Sequence, residues 1–328
     1  MDYCGIQVNN PFFLAPMAGV TDAPFRALCE ENGASLTYTE MVSAKALVYH
    51  DKKTADLLRL EKDRRPCIAQ IFGHEPDVMA EAARLALEIS GAEGIDINMG
   101  CPVSKVVGNG DGSALMRDPA QAAAIVTAVK KAVPVPVTVK FRKGFEANSD
   151  TCASFARVLE DAGADGLCVH GRTRAQMYSG QSDRRAAAEV KAAVRVPVVA
   201  SGDLFTPRQC LDTMAETGVD FVMIARGAQG NPFIFDDCLR AQAGETIVRR
   251  RPEDVVDAIL RQAEALCAQK GETRAMIEFR KHGLWYMARF SGVRTLKVRM
   301  SGVTRLTELQ AICRELTQYR LKEVTRDE

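Results

Sequence analysis

The residues able to do chemistry sit where short apolar runs end. One run closes on Asn98-Met99-Gly100-Cys101-Pro102, followed by Val103-Ser104-Lys105 and a loop holding Gly108, Gly110 and Gly112. Most cysteines are small buried hydrophobes, and nine of the ten here read that way. Cys101 differs because an apolar run opens there into a glycine-rich loop. An unperturbed thiol titrates near ~8.5, so at neutral pH it is protonated and can donate a proton. The glycines would let the loop close over a substrate. A second run, Val137-Thr138-Val139-Lys140-Phe141-Arg142, alternates so that Thr138, Lys140 and Arg142 share a face. Three readings of Lys140 stay open: a Schiff-base lysine, an ion-paired structural lysine, or a partner for a ligand that gains negative charge.

The remaining candidates follow the same pattern. In Val169-His170-Gly171-Arg172, His170 and Arg172 share a face, and the neighbouring arginines favour a ligand role for His170. Gln70, inside an apolar run, needs hydrogen-bond partners and could meet either a heterocycle edge or a neighbouring strand. Ala15-Pro16-Met17-Ala18-Gly19 is small enough for a flat ligand to approach its backbone, or simply forms a tight turn. Ala200-Ser201-Gly202-Asp203 and Ile224-Ala225-Arg226-Gly227 combine glycines with an arginine, a composition suited to phosphate.

These groups require a scaffold that brings run ends together. Apolar runs recur at 12–17, 35–41, 66–73, 94–100, 135–142, 166–172, 196–202 and 220–227, with helical patterns between them such as 80–90, 120–132 and 153–162. Asp118-Pro119 and Thr206-Pro207 mark helix starts, and Gly163 and Gly218 mark helix ends. Eight strand–helix units predict a closed (β/α)8 TIM barrel, in which catalytic groups occupy the C-terminal strand ends and phosphate the loops after strands 7 and 8. No GxGxxG follows the first strand, which weakens a doubly wound sheet. After Ala241 strand signals stop, and helical patterns at 252–270, 273–289, 293–300 and 304–321 predict a small bundle. The division expected is a cofactor-binding barrel over 1–243 and a helical domain over 250–328.

Composition narrows the class. Of 328 residues 47% are hydrophobic and 26% charged, an ordinary globular balance without an apolar run long enough to span a membrane. The opening Met1-Asp2-Tyr3-Cys4 has no leader pattern. Ten cysteines without a CxxC pair argue for reduced thiols in a cytoplasmic protein, and against zinc ribbons or iron–sulfur clusters. Net charge is +1, but residues 245–328 hold 17 Lys/Arg and 12 Asp/Glu, a balance of +5, leaving −4 for the rest. That tail suits either a polyanionic partner or a solvated helical surface.

Together the run ends suggest a planar, phosphate-bearing cofactor with a lysine and a histidine near its polar edge and a thiol opposite. Flavin mononucleotide fits; a dinucleotide lacks its fingerprint, and no metal-ligand cluster is evident. At these residues the sequence closely resembles the tRNA-dihydrouridine synthases, the bacterial B-type branch in particular. The likeness runs from Ala15–Asp22 and Gln70–Gly73 through Asn98–Pro102, Gly112–Met116 and His170–Arg174 to Ala228–Pro232 and Arg280-Lys281-His282. The resemblance implies FMN held by Pro16, Met17 and Ala18, with Gln70, Lys140 and His170 at the ring. Ser201, Gly202, Asp203, Ala225 and Arg226 would line its phosphate and ribityl side. It implies Cys101 as catalytic acid, NADPH or NADH as reductant, and a uridine flipped from folded tRNA. Asn98, Arg172, Arg280 and Lys281 would contact that substrate. Ser201 stands where the family usually has Asn, and Phe141 where it has Met or Ile. Two rivals stay open: an FMN enzyme of free pyrimidines, of the dihydroorotate or dihydropyrimidine dehydrogenase type, and a tRNA-binding protein with an idle site. The first has no need of a basic helical module, and the intact Cys101, Lys140 and His170 argue against the second. No obligate protein partner is evident.

Overall fold

The computed structural model of the chain describes residues 1–60 and 66–322. Eight parallel strands form the barrel: β1 (Phe12–Leu14), β2 (Thr37–Tyr38), β3 (Cys67–Phe72), β4 (Gly94–Met99), β5 (Val137–Arg142), β6 (Gly166–His170), β7 (Val198–Ser201) and β8 (Phe221–Ile224). From β2 to β8 each pairs with the next in sequence, and β8 pairs with β1. Closure between β1 and β2 rests on a bridge from Phe13 to Leu36, with the Leu14 amide donating to Leu36 at 2.9 Å. The expected TIM barrel is therefore present. The observed strands are shorter than the apolar runs, because in β1 and β8 the last expected residues turn outward into site loops. Just beyond the second run, Val42–Ser43 forms a separate short pairing with β3.

Strand alternation produces two concentric cores. Outward residues such as Val137, Val139 and Phe141 join the helices in an annular layer, where Phe141 meets Phe155 edge-on at 5.5 Å. Inward residues, among them Phe13, Tyr38, Ile68, Val199 and Phe221, fill the barrel. An N-terminal hairpin, Asp2–Tyr3 with Ile6–Gln7, was not expected from the sequence and plugs the barrel's lower end. Helix signals hold up: Asp118 caps Pro119–Ala132 by accepting from Gln121 at 3.0 Å, and Thr206 caps Pro207–Thr217. Gly218 ends the latter in the left-handed conformation.

Helices Pro252–Lys270, Glu272–Met287, Arg294–Gly302 and Leu306–Leu316 build the C-terminal bundle around a third core. The last is shorter than the 304–321 pattern, and residues 323–328 of the expected helical domain lie outside the described residues. The bundle grips the barrel closely. Leu28 and Phe233 from the barrel side enter its core, and Trp285 packs against the annular layer. The backbone of Trp285 lies so near Gly230 that a side chain at 230 would collide with it.

Candidate functional site

A cleft of about 500 Å³ opens at the C-terminal ends of the strands. It gathers most of the residues singled out by sequence: Pro16, Met17 and Ala18 after β1; Asn98 and Cys101 at β4; Lys140 on β5; His170 on β6; Ser201, Gly202 and Asp203 after β7; Ala225 and Arg226 after β8. Alternation aims Lys140 and His170 inward as expected. Among the described residues the side-chain amine of half-buried Lys140 has no ion-pair or hydrogen-bond partner. His170 has its Nε2 buried without a partner. Burial, then the charges of Lys140, Arg142, Arg172 and Arg226, push its imidazole well below the ordinary value, so it is neutral near pH 7. A cation without a counter-ion beside an unsatisfied ring nitrogen is the environment an electron-rich polar ring edge would complete.

Cys101 is held by its backbone. Its amide and that of Gly100 donate to Asn98 Oδ1 at 2.9 and 3.1 Å, and its carbonyl accepts from Ser113 Oγ at 2.9 Å. Arg142 Nε donates to the Gly100 carbonyl at 2.7 Å. Burial raises the Cys101 thiol above its usual value, against opposing pulls from the Val103 amide and Arg142. The thiol therefore keeps its proton at neutral pH, as a proton donor must.

Three candidates are placed differently from a direct ligand contact. Gln70 is buried below the cleft floor, donating to Asp96 at 2.7 Å and accepting from Asn98 at 3.0 Å. It thereby braces the amide that holds the Cys101 turn. Burial pushes the Asp96 carboxyl up to about 7, although hydrogen bonds from Thr138 and Gln70 favour its ionised form. Arg172 is likewise buried behind the wall, making a two-pronged pair with Asp203 at 2.8 Å and donating to the Ser179 and Gly180 carbonyls. Arg280 lies in the bundle and donates to the Val303 carbonyl at 2.8 Å. Lys281, by contrast, reaches from the bundle to Gly19 beside the cleft; a Cβ there would stand 2.8 Å from its amine.

Sequence reasoning left out Arg142, Tyr178 and Phe205, which also line the cleft. Arg142 carried the same alternation signal as Lys140. Tyr178 and Phe205 sit on loops, where no periodicity marks a face. Both rings flank the Arg226 guanidinium, at 5.1 and 5.3 Å, while Asp203 accepts from it at 3.2 Å. Burial opposes ionisation of Asp203, but Arg172, the Ser182 amide and Arg226 together hold its carboxyl below the usual range. Far from this cleft, Asp150, Cys152 and Glu189 bring ligand-type atoms within 4.8 Å of one another, a proximity the sequence did not show. Cys152 there donates to Asp150.

Fold and site together define a (β/α)8-barrel enzyme whose cleft joins a protonated thiol to fixed positive charge. A family model described as Dihydrouridine synthase matches residues 13–323, and the chain belongs to that family. Its curated relatives include tRNA-dihydrouridine synthase B of Pseudomonas aeruginosa, 39% identical over 94% of this chain and 92% of that protein. The Vibrio cholerae protein of the same name is 41% identical over 86% of this chain and 87% of its own length. Among solved structures, a 2-naphthoyl-CoA reductase aligns with TM-score 0.57 at 12% identity, over 75% of this chain and 52% of that one. Histamine dehydrogenase from Rhizobium sp. 4-9 aligns with TM-score 0.55 at 15% identity, over 78% and 49%. The chain spans about half the length of those two structures, and the likeness to them is one of fold.

Proposed function

We propose that this enzyme reduces uridine to 5,6-dihydrouridine in tRNA, with FMN as its cofactor and NADPH as reductant. The observation that carries the reading is one cleft holding Cys101, an uncompensated Lys140 and the unpartnered Nε2 of His170. The family and its tRNA-dihydrouridine synthase B relatives support the substrate. FMN, when bound, supplies a two-electron carrier between a nicotinamide and a pyrimidine ring.

The chain's own residues then have distinct tasks. Pro16, Met17 and Ala18 offer a small, apolar wall. Lys140 would place a fixed cation, and neutral His170 one ring nitrogen, toward the polar edge of the bound cofactor. Arg226, oriented by Asp203 and two aromatic rings, would hold the cofactor's phosphate together with the backbone at Gly202 and Gly227. Ser201, which lines the cleft, donates its Oγ proton to the Met223 carbonyl at 3.1 Å and would keep its lone pairs for the ligand. Cys101 holds a proton at Sγ and would deliver it to C5 of the uracil as that ring is reduced. Asn98, braced by Gln70, fixes the turn that aims that thiol. Residues 1–243 would bind the cofactor, and the bundle from residue 250 onward would engage tRNA. Among the described residues no helix is long and apolar enough to cross a membrane, and a cytoplasmic location accords with the substrate.

The test is direct. The purified protein should be yellow, release FMN and not FAD on denaturation, and form dihydrouridine in tRNA lacking it when given NADPH. A protein that cannot be reconstituted with FMN overturns the cofactor. Reduction of free uracil or orotate at rates exceeding those on tRNA would establish the free-pyrimidine alternative instead.

A further inference from the structure

The Cys101 turn continues into an exposed flap, residues 103–110, that separates two clefts. Cys101, Pro102 and Val103 line the main one. Behind the flap lies a second, of about 630 Å³, bounded by Lys105, Val106 and Asn109 on the flap side and by Lys45 and Glu75 opposite. The flap's far end folds back on its origin, since the Ser113 amide and hydroxyl both donate to the Cys101 carbonyl, at 3.2 and 2.9 Å. Residues 101–113 therefore form a closed ring. Gly110 and Gly112 within it have φ of +89° and +60°, conformations glycine adopts without strain. Among the described residues, no side chain of 103–110 hydrogen-bonds to the rest of the barrel.

One side chain crosses the gap. His74, on the turn leaving β3, brings Nδ1 to 2.7 Å from Oδ1 of Asp111, a carboxylate that is itself buried. The imidazole lies over Gly110, where a Cβ would stand 3.6 Å from its Cγ. The His74 carbonyl accepts from Gln121 at 2.6 Å, anchoring that turn to helix Pro119–Ala132. Its Nε2 is 3.8 Å from Glu75, which is 3.7 Å from Lys45.

We infer that His74 is a positioning residue for Cys101: its bond to Asp111 ties the cysteine's ring of residues to the fixed scaffold at the exit of β3. The bonds of Cys101 to Asn98 and Ser113 hold the base of the ring, and His74 adds a side-chain tie between its far part and the exit of β3. A thiol that must meet a stacked base from one direction needs that restraint, because small displacements of a reacting group are costly. The catalytic part of the inference rests on Cys101 being the proton donor proposed above; the restraint itself does not.

The experiment uses the full-length, flavin-loaded protein with His74→Ala, Asp111→Ala, and the exchanged pair His74→Asp with Asp111→His. Alkylation of Cys101 by iodoacetamide, followed by peptide mass spectrometry, reports access to the thiol. A partly exposed hydrogen bond is worth a factor of about 5, so each single variant should alkylate about fivefold faster and the exchanged pair should return toward wild type. Turnover on tRNA should fall by a similar factor while flavin reduction by NADPH is unchanged. Wild-type alkylation rates in both single variants, no recovery in the exchanged pair, or equal slowing of both half-reactions would overturn the inference. If alkylation shifts as expected while Cys101→Ala still forms dihydrouridine at the normal rate, the restraint stands and the role proposed for Cys101 falls.

Discussion

The two ends of the same barrel treat polar groups in opposite ways. At the lower end, carboxylates before the strands close off every contact within reach. Asp165 accepts from Lys130 at 2.7 and 2.6 Å and from the Val137 amide at 2.7 Å; Asp220 does the same for Lys191 and Val198. Glu93 accepts from the Cys67 amide at 2.8 Å. Above them Phe13 and Phe221 stack at 4.7 Å, with Tyr3 edge-on to both at 5.1 Å. At the upper end Lys140 lacks a counter-ion and His170 an Nε2 partner. An unmet buried polar group costs free energy, so it persists where a ligand completes it. The barrel thus concentrates stability below and unmet bonding capacity above, the division expected of this architecture.

That contrast can be broken from either end. The largest effect is expected at the mouth: Cys101→Ala should lower dihydrouridine formation by about 10²–10⁴-fold, the usual contribution of a positioned general acid. Its FMN content, its reduction by NADPH and its melting temperature should stay near wild type. A matching loss in flavin reduction would show that the thiol supports the whole cleft. At the lower end, Phe221→Ala should destabilise the fold by about 3–5 kcal/mol, the cost of emptying an aromatic site in a packed core. Measured by denaturant unfolding, that loss should come with a near-normal turnover per folded molecule.

The smallest effect concerns the bundle, where the structure shifts attention to a different set of cations. Arg274 pairs with Glu278, Arg299 with Glu315, Arg289 with Asn231, and Arg280 with a backbone carbonyl, so much of the basic tail is internally committed. Arg294, Lys297 and Lys322 instead share one open groove, and its described lining holds no acidic residue. Lys297→Glu should weaken tRNA binding and flatten its salt dependence by roughly one unit of slope for each phosphate no longer neutralised. Unchanged affinity and slope, with flavin bound, would mark that groove as solvated surface. Deleting the bundle near Gly244 is the poorer experiment, because it would uncover Leu28 and Phe233.

How much was legible differs from residue to residue. The eight runs and their two-residue alternation fixed which strands form and which side chains face inward, because that pattern is a property of each strand alone. Lys140, His170 and the outward Phe141 followed from it. Cys101 was marked by local contrast, an apolar run ending in glycines. What alternation could not supply is the neighbour across the sheet. Pairing register sets Gln70 opposite Asp96, and of the two partners open to it the neighbouring strand is the one it meets, bracing Asn98. Arg172 met Asp203 through loops whose paths no periodicity dictates. His74 and Asp111, 37 residues apart, carry no shared pattern, and their bond exists because the exit of β3 and the return of the Cys101 ring arrive at one place. The sequence by itself determined the elements and their faces, since those depend on contacts a few residues apart. Only the tertiary structure decided which polar groups found partners and which stayed open, since that depends on where separate loops converge.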